Sequence, residues 1–146
     1  MNKPETLSLA IGGEQTVIRM YHALDRQDYS AVSGCFMPDG IWDHGSHALL
    51  GREQILASLS KRSATLFTRH YVSNFVVLAH GGSVAKVAFG LTVYRSDTGA
   101  APTLPLDKMV PALLADVECE LTCSDRGDWL INRLAPRITF AARAAS

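Results

Sequence analysis

Apolar residues recur every three to four positions over residues 12–27, GGEQTVIRMYHALDRQ, where Val17, Tyr21 and Leu24 form a stripe with Ile18 at its edge. That period predicts a helix with one buried face. Residues 1–9 are expected to be a loose tail, and Gly12-Gly13 to mark the helix start. Asp28-Tyr29-Ser30 opens a shorter helix running to about Phe36, with Val32 and Phe36 four apart. Met37-Pro38-Asp39-Gly40 is turn chemistry. Residues 41–44 predict a short strand, and Gly51 to about Ser60 a third helix.

The period then changes from 3.6 to 2. Residues 69–79 are rich in aromatic and β-branched types, and Gly81-Gly82-Ser83 signals a hairpin. In the strand over 84–95, Val87, Phe89, Leu91 and Val93 share one face. Residues 97–111 carry three of the six prolines and predict a long loop. Strands over 112–123 and 129–140 follow, joined by a turn at Asp125-Arg126-Gly127-Asp128. Residues 141–146 are expected to form a second loose tail. Three helices followed by a four-strand antiparallel meander predict an α+β fold. A curved sheet closed by helices encloses a concave space in which small ligands sit.

The 146 residues suit a single domain, 1–146. Charged residues make up only 19%, below the usual ~25%, so some surface is expected to be hidden in a partner or to line an apolar pocket. Fourteen basic and fourteen acidic residues give zero formal net charge, which argues against nucleic-acid binding. No apolar run approaches the ~20 residues of a membrane span. A soluble, cytoplasmic protein is the resulting expectation. The three cysteines, Cys35, Cys119 and Cys123, suit a reducing compartment. Four residues of strand hold Cys119 and Cys123 ~13 Å apart, too far for a disulfide.

Two residues stand out chemically. Asp25 falls between Tyr21 and Ile18 on the apolar arc of the first helix. A carboxylate there needs a partner, unless the last helical turn leaves the core for water. His70 lies in TRHYVSN, where alternation puts His70, Val72, Asn74, Val76 and Leu78 on one face. Histidine suits proton transfer near neutral pH, although a strand histidine also serves as a structural hydrogen-bonding group. Trp42 and His44 are candidates to point into the cavity. His44 and His47 have a weak metal-ligand spacing with no supporting motif, so no metal is expected. Tyr94 ends a face of small residues, Ala88, Gly90 and Thr92, that leaves room for a ligand. Glu118 shares a face with Asp116, Glu120 and Thr122, either solvated or lining the cavity. No phosphate loop or dinucleotide fingerprint is present, and no cofactor is expected.

The succession YHALDRQDYSAVSGCFMPDGIWDH, GREQI, TRHYVSN and DWLINRLAPRITF resembles the SnoaL-like branch of the nuclear transport factor 2-like superfamily over about residues 12–140. The resemblance implies a cone of curved antiparallel sheet with three N-terminal helices, a pocket at the wide end, and a homodimer paired through the exposed sheet face. The site is most similar to that of the scytalone dehydratases. That likeness implies an Asp–His dyad at Asp25 and His70, surrounded by His44, Tyr94 and Glu118; Trp42 and Asn74 complete the candidate substrate-binding positions. Several surrounding residues differ, with Leu24 and His44 in place of two tyrosines. The expected function is a cofactor-free lyase or isomerase acting on a small apolar or aromatic molecule. The alternatives are a non-catalytic binding protein and a dimerising interaction module.

Overall fold

The computed structural model describes residues 3–108 and 110–143. The elements are α1 (Lys3–Asp25), α2 (Tyr29–Gly34), β1 (Phe36–Asp43), β2 (Ala48–Leu50), α3 (Gly51–Leu59), β3 (Phe67–Gly81), β4 (Val84–Ser96), β5 (Leu113–Cys123) and β6 (Trp129–Ala141). They form one six-stranded sheet in the order β2-β1-β6-β5-β4-β3, with helices against its concave side. This is the α+β architecture of the nuclear transport factor 2-like fold.

The first helix is longer than its apolar stripe predicts. Residues from Lys3 onward are helical rather than a loose tail, and Leu9 is fully buried. Gly12 and Gly13 therefore lie within the helix rather than at its start. Their value is close approach: a Cβ at Gly13 would sit 2.8 Å from Leu121 Cδ1, and one at Gly12 2.9 Å from Trp129 Cδ1. The Thr16 hydroxyl donates to the Trp129 carbonyl at 2.6 Å and fixes the helix across the sheet at that point. Asp28 caps α2 by accepting from the Ala31 amide.

Strands β3 to β6 form the expected antiparallel meander. The segment predicted as a turn at 37–40 is instead part of β1. It runs parallel to β6, with a register shift between Phe36 and Ile41. A Cβ at Gly40 would meet the Ile131 carbonyl at 2.8 Å, so only glycine lets the strands approach there.

One irregularity decides which side chains face inward. In β3 the pairing with β4 shifts between Ser73 and Val76, and Asn74 has φ of 54°. This β-bulge inserts one residue and reverses the alternation beyond it. Thr68, His70 and Val72 face the helices before the bulge; Phe75 and Val77 do so after it. Val76 and Leu78 are exposed, so the expected shared face of His70 with Asn74, Val76 and Leu78 is overturned. On β4 and β5 the inward set is regular: Val87, Phe89, Leu91 and Val93, then Ala115, Val117, Cys119 and Leu121. The helices leave the far end of β6 uncovered. Ile138, paired with buried Ala115, is 59% exposed there.

Replacing Gly13 tests the helix–sheet approach. Gly13→Val is expected to lower unfolding stability by about 1–3 kcal/mol, because Leu121 lies in a packed core and has no room to yield. Urea denaturation of the two proteins measures the difference.

Candidate active site

Asp25 is the last residue of α1, and the chain leaves the helix through a turn in which Asp28 N–H donates to the Ala23 carbonyl at 3.0 Å. Gln27, at φ of 59°, sends its side-chain amide to the carbonyls of Ala64 and Leu66 at 3.2 and 3.0 Å. The start of β3 is thereby tied to the end of α1, which brings Thr68 and His70 to Asp25.

Three donors from β3 meet the Asp25 carboxylate. His70 Nδ1 lies 2.5 Å from Oδ1, the Thr68 hydroxyl donates to Oδ1 at 2.9 Å, and the His70 backbone N–H donates to Oδ2 at 2.8 Å. The Asp25 side chain is 4% exposed and that of His70 10%. Burial pushes the Asp25 carboxyl upward. The hydrogen bonds from the His70 ring and backbone, the His70 charge and the Thr68 hydroxyl outweigh it, and hold the carboxyl below its usual 3.8. An ionised carboxylate only accepts, so the Nδ1 atom facing it carries the proton. Nε2 makes no hydrogen bond among the described residues, and in the neutral ring it holds a lone pair.

Tyr21, one turn before Asp25, stacks on the His70 ring with centroids 5.2 Å apart and meets Phe89 edge-on at 6.2 Å. Burial, with a smaller contribution from Cys119, raises the pKa of its hydroxyl far above the usual range, so the phenol stays neutral. His70, Val93 and Leu113 are successive cross-strand neighbours, with Val72, Leu91 and Ala115 in the adjoining row. The sheet surface around the dyad is therefore aliphatic, and it runs out to exposed Ile138.

The other sequence-predicted positions do not gather at this pair. Trp42 is a core residue stacked between the Phe36 and His44 rings, at 5.7 and 5.3 Å. His44 lies in the exposed turn before β2, where its N–H donates to the His47 carbonyl and the two imidazoles stack at 5.0 Å. Burial, and then the neighbouring His47, lower its pKa. Neither residue shares a hydrogen bond or ring contact with the dyad. Tyr94, Glu118 and Asn74 are on the outer face of the sheet. Tyr94 follows inward-facing Val93 and packs edge-on against Tyr71 at 6.1 Å. Glu118 is exposed and 3.1 Å from Lys86 Nζ, which is the solvated alternative for its strand face. Asn74 is turned out by the bulge and lines an outer groove of about 760 Å³ with Asp116, Glu118 and Arg137. The expectation that Tyr94 faces the cavity, and the cavity-lining alternative for Glu118, are overturned by strand alternation, which opposes both to the buried row; for Asn74 the bulge is the cause.

Sequence reasoning missed Thr68 and Tyr21. Both carried a positional signal: Thr68 is two residues before His70 on the same strand face, and Tyr21 is four before Asp25 on the same helical face.

A concave sheet with helices over one end and an ionised acid–imidazole pair inside defines a small α+β cone protein with a side-chain dyad on its inner wall. Residues 14–135 match the SnoaL-like domain, and the chain belongs to that family. Among solved structures it is similar to a Novosphingobium aromaticivorans protein provisionally called a scytalone dehydratase, with 16% identity, TM-score 0.82, and coverage of 99% of this chain and 93% of that one. An NTF2-like protein with a cystatin-like fold from the same organism has 16% identity and TM-score 0.78, over 96% of this chain and 88% of its own. ActVI-ORFA from Streptomyces coelicolor has 16% identity and TM-score 0.76, over 90% and 97%. No curated protein matches the chain.

The lowered Asp25 pKa sets a pH dependence. A carboxyl whose native pKa is depressed contributes stability above its usual value of 3.8, and loses it as pH falls through the lower native value. Asp25→Asn is expected to cost about 1.5–3 kcal/mol near neutral pH, the range for a hydrogen bond to a charged group. The gap to the unsubstituted protein should close below about pH 4. Denaturation of both proteins across pH 2–7 checks the sign.

Proposed function

We propose that the protein is a cofactor-free lyase or isomerase of the dehydratase type, acting on a small apolar or aromatic molecule through Asp25 and His70. The observation that carries this reading is the buried carboxylate on Nδ1, which leaves Nε2 as a base with a fixed tautomer. The family includes polyketide cyclases and dehydratases, and the aliphatic wall around His70 suits a substrate with little polar surface.

In a dehydration, Nε2 removes a proton from the carbon next to a carbonyl. The C–H electron pair forms the new C=C bond as the C–O bond to the β-hydroxyl breaks. The imidazolium then returns its proton to the departing hydroxide, releasing water and restoring neutral His70. Asp25 keeps its negative charge throughout and stabilises the imidazolium. An isomerisation uses the same first step and returns the proton to a different carbon. Tyr21 limits rotation of the His70 ring by stacking on it.

The test begins with small hydroxy-ketones and aromatic alcohols screened for dehydration or isomerisation. With a substrate in hand, Asp25→Asn and His70→Ala are expected to lower turnover by about 10²–10⁴-fold, with ligand affinity changed only a few-fold. Near-full turnover in both variants would overturn the dyad. Binding without turnover in the unsubstituted protein would make it a carrier.

A further inference from the structure

The outer face of the sheet carries a second cavity, separate from the dyad. It has a volume of about 350 Å³ and lies between the ends of β3 and β4 and the proline-containing loop that follows β4. Its cationic side chains come from three places: Arg69 on β3, Arg95 on β4 and Lys108 on the loop. None of the three forms an ion pair among the described residues, and no carboxylate lines the cavity. Asp97, near Arg95 in sequence, is bonded to the Thr65 hydroxyl at 2.6 Å and the Gly99 amide at 3.2 Å and also senses the Arg95 charge, but does not line the cavity. In a chain of zero net charge, three cations around one cleft, offset only at Arg95 by the neighbouring Asp97 charge, make a local positive field that favours an anion.

The walls add a shape preference. Tyr71 and Tyr94 meet edge-on, so a flat ring can pack beside them. The Arg69 guanidinium lies 4.3 Å over the Phe67 ring and donates to the Thr68 carbonyl at 2.7 Å, which pre-orients it. Leu104 and Leu106 form the apolar roof. Lys108 Nζ donates to the Arg95 carbonyl at 2.6 Å and staples the loop to β4. The volume is near the lower end of ligand sites, about 300–1,000 Å³, which suits one or two fused rings.

We infer that this cleft binds a small aromatic carboxylate, with the ring between the tyrosines and the leucine roof and the carboxylate toward Arg95 and Lys108. The site stands apart from the proposed reaction: His70 and Asp25 face the opposite side of the sheet, so either reading survives the failure of the other. A guanidinium beside an ammonium takes a carboxylate in preference to a neutral amide of the same shape.

Calorimetric titration with 2-naphthoate, alongside uncharged 2-naphthamide, tests the inference. 2-Naphthoate is expected to bind at least tenfold more tightly than the amide. The Arg95→Ala/Lys108→Ala double variant is expected to lose at least tenfold in naphthoate affinity. Both substituted side chains are exposed, and a matching thermal melt establishes that the variant is folded. Absence of naphthoate binding, equal affinity for the amide, or indifference to the double substitution would overturn the site.

Discussion

The buried charge of Asp25 is the constraint around which this fold is arranged. An ionised carboxylate at 4% exposure is tolerated only when donors replace its water. Here all three donors come from a single strand, two from side chains and one from the backbone. The end of α1 and the start of β3 are thereby held in one relative position. That position also leaves the distal imidazole nitrogen without a hydrogen bond among the described residues. The same contacts that make the carboxylate bearable define the tautomer of the histidine, so structure and chemistry rest on one set of hydrogen bonds.

Much of the fold is legible in the sequence because its signals are periodic. The stripe of Val17, Tyr21 and Leu24 and the alternation of Val87, Phe89, Leu91 and Val93 correspond to buried faces. The Asp25–His70 juxtaposition follows from a helix-end carboxylate and an inward strand histidine, together with the family pattern. For Tyr94 the cause is that periodicity gives relative facing but not which side of a sheet is inside; for Asn74 it is the bulge, which breaks the relative facing itself. Tyr94 shares a face with its small strand neighbours, as alternation implies, but that face is the outer one; Glu118 takes the solvated alternative. Residues 3–11 lack a clean stripe because only Leu9 among them is buried, so tertiary contact extends the helix where local pattern is silent. The segment 37–40 has turn composition yet pairs with β6, an override of local preference by sheet formation.

The two faces of the sheet have different characters. The concave side is apolar with one buried carboxylate–imidazole pair. The convex side is polar and carries exposed ion pairs such as Lys86–Glu118, which contribute little to stability. The loop after β4 belongs to the convex side, where Lys108 fastens it to the strand. A sheet of this kind presents two unlike chemical environments within one strand thickness, and neighbouring residues such as Arg69 and His70 belong to different ones.

The bulge at Asn74 makes β3 behave as two half-strands joined by a phase change. Upstream, Thr68, His70 and Val72 look inward; downstream, Phe75 and Val77 do, until a second register shift between Val77 and Ala79 sets His80 opposite buried Ala85. A deletion of one residue at the joint would remove the bulge and leave Phe75 and Val77 facing inward in step with Val72, whereas flattening the bulge with its residue retained would drive Val76 and Leu78 into the core and Phe75 and Val77 out. Substitutions on either side of the joint do not compete for the same facing pattern. The half carrying His70 is thus free to vary its lining while the half carrying Phe75 keeps the far end of the cone packed, a division of labour within a single uninterrupted strand.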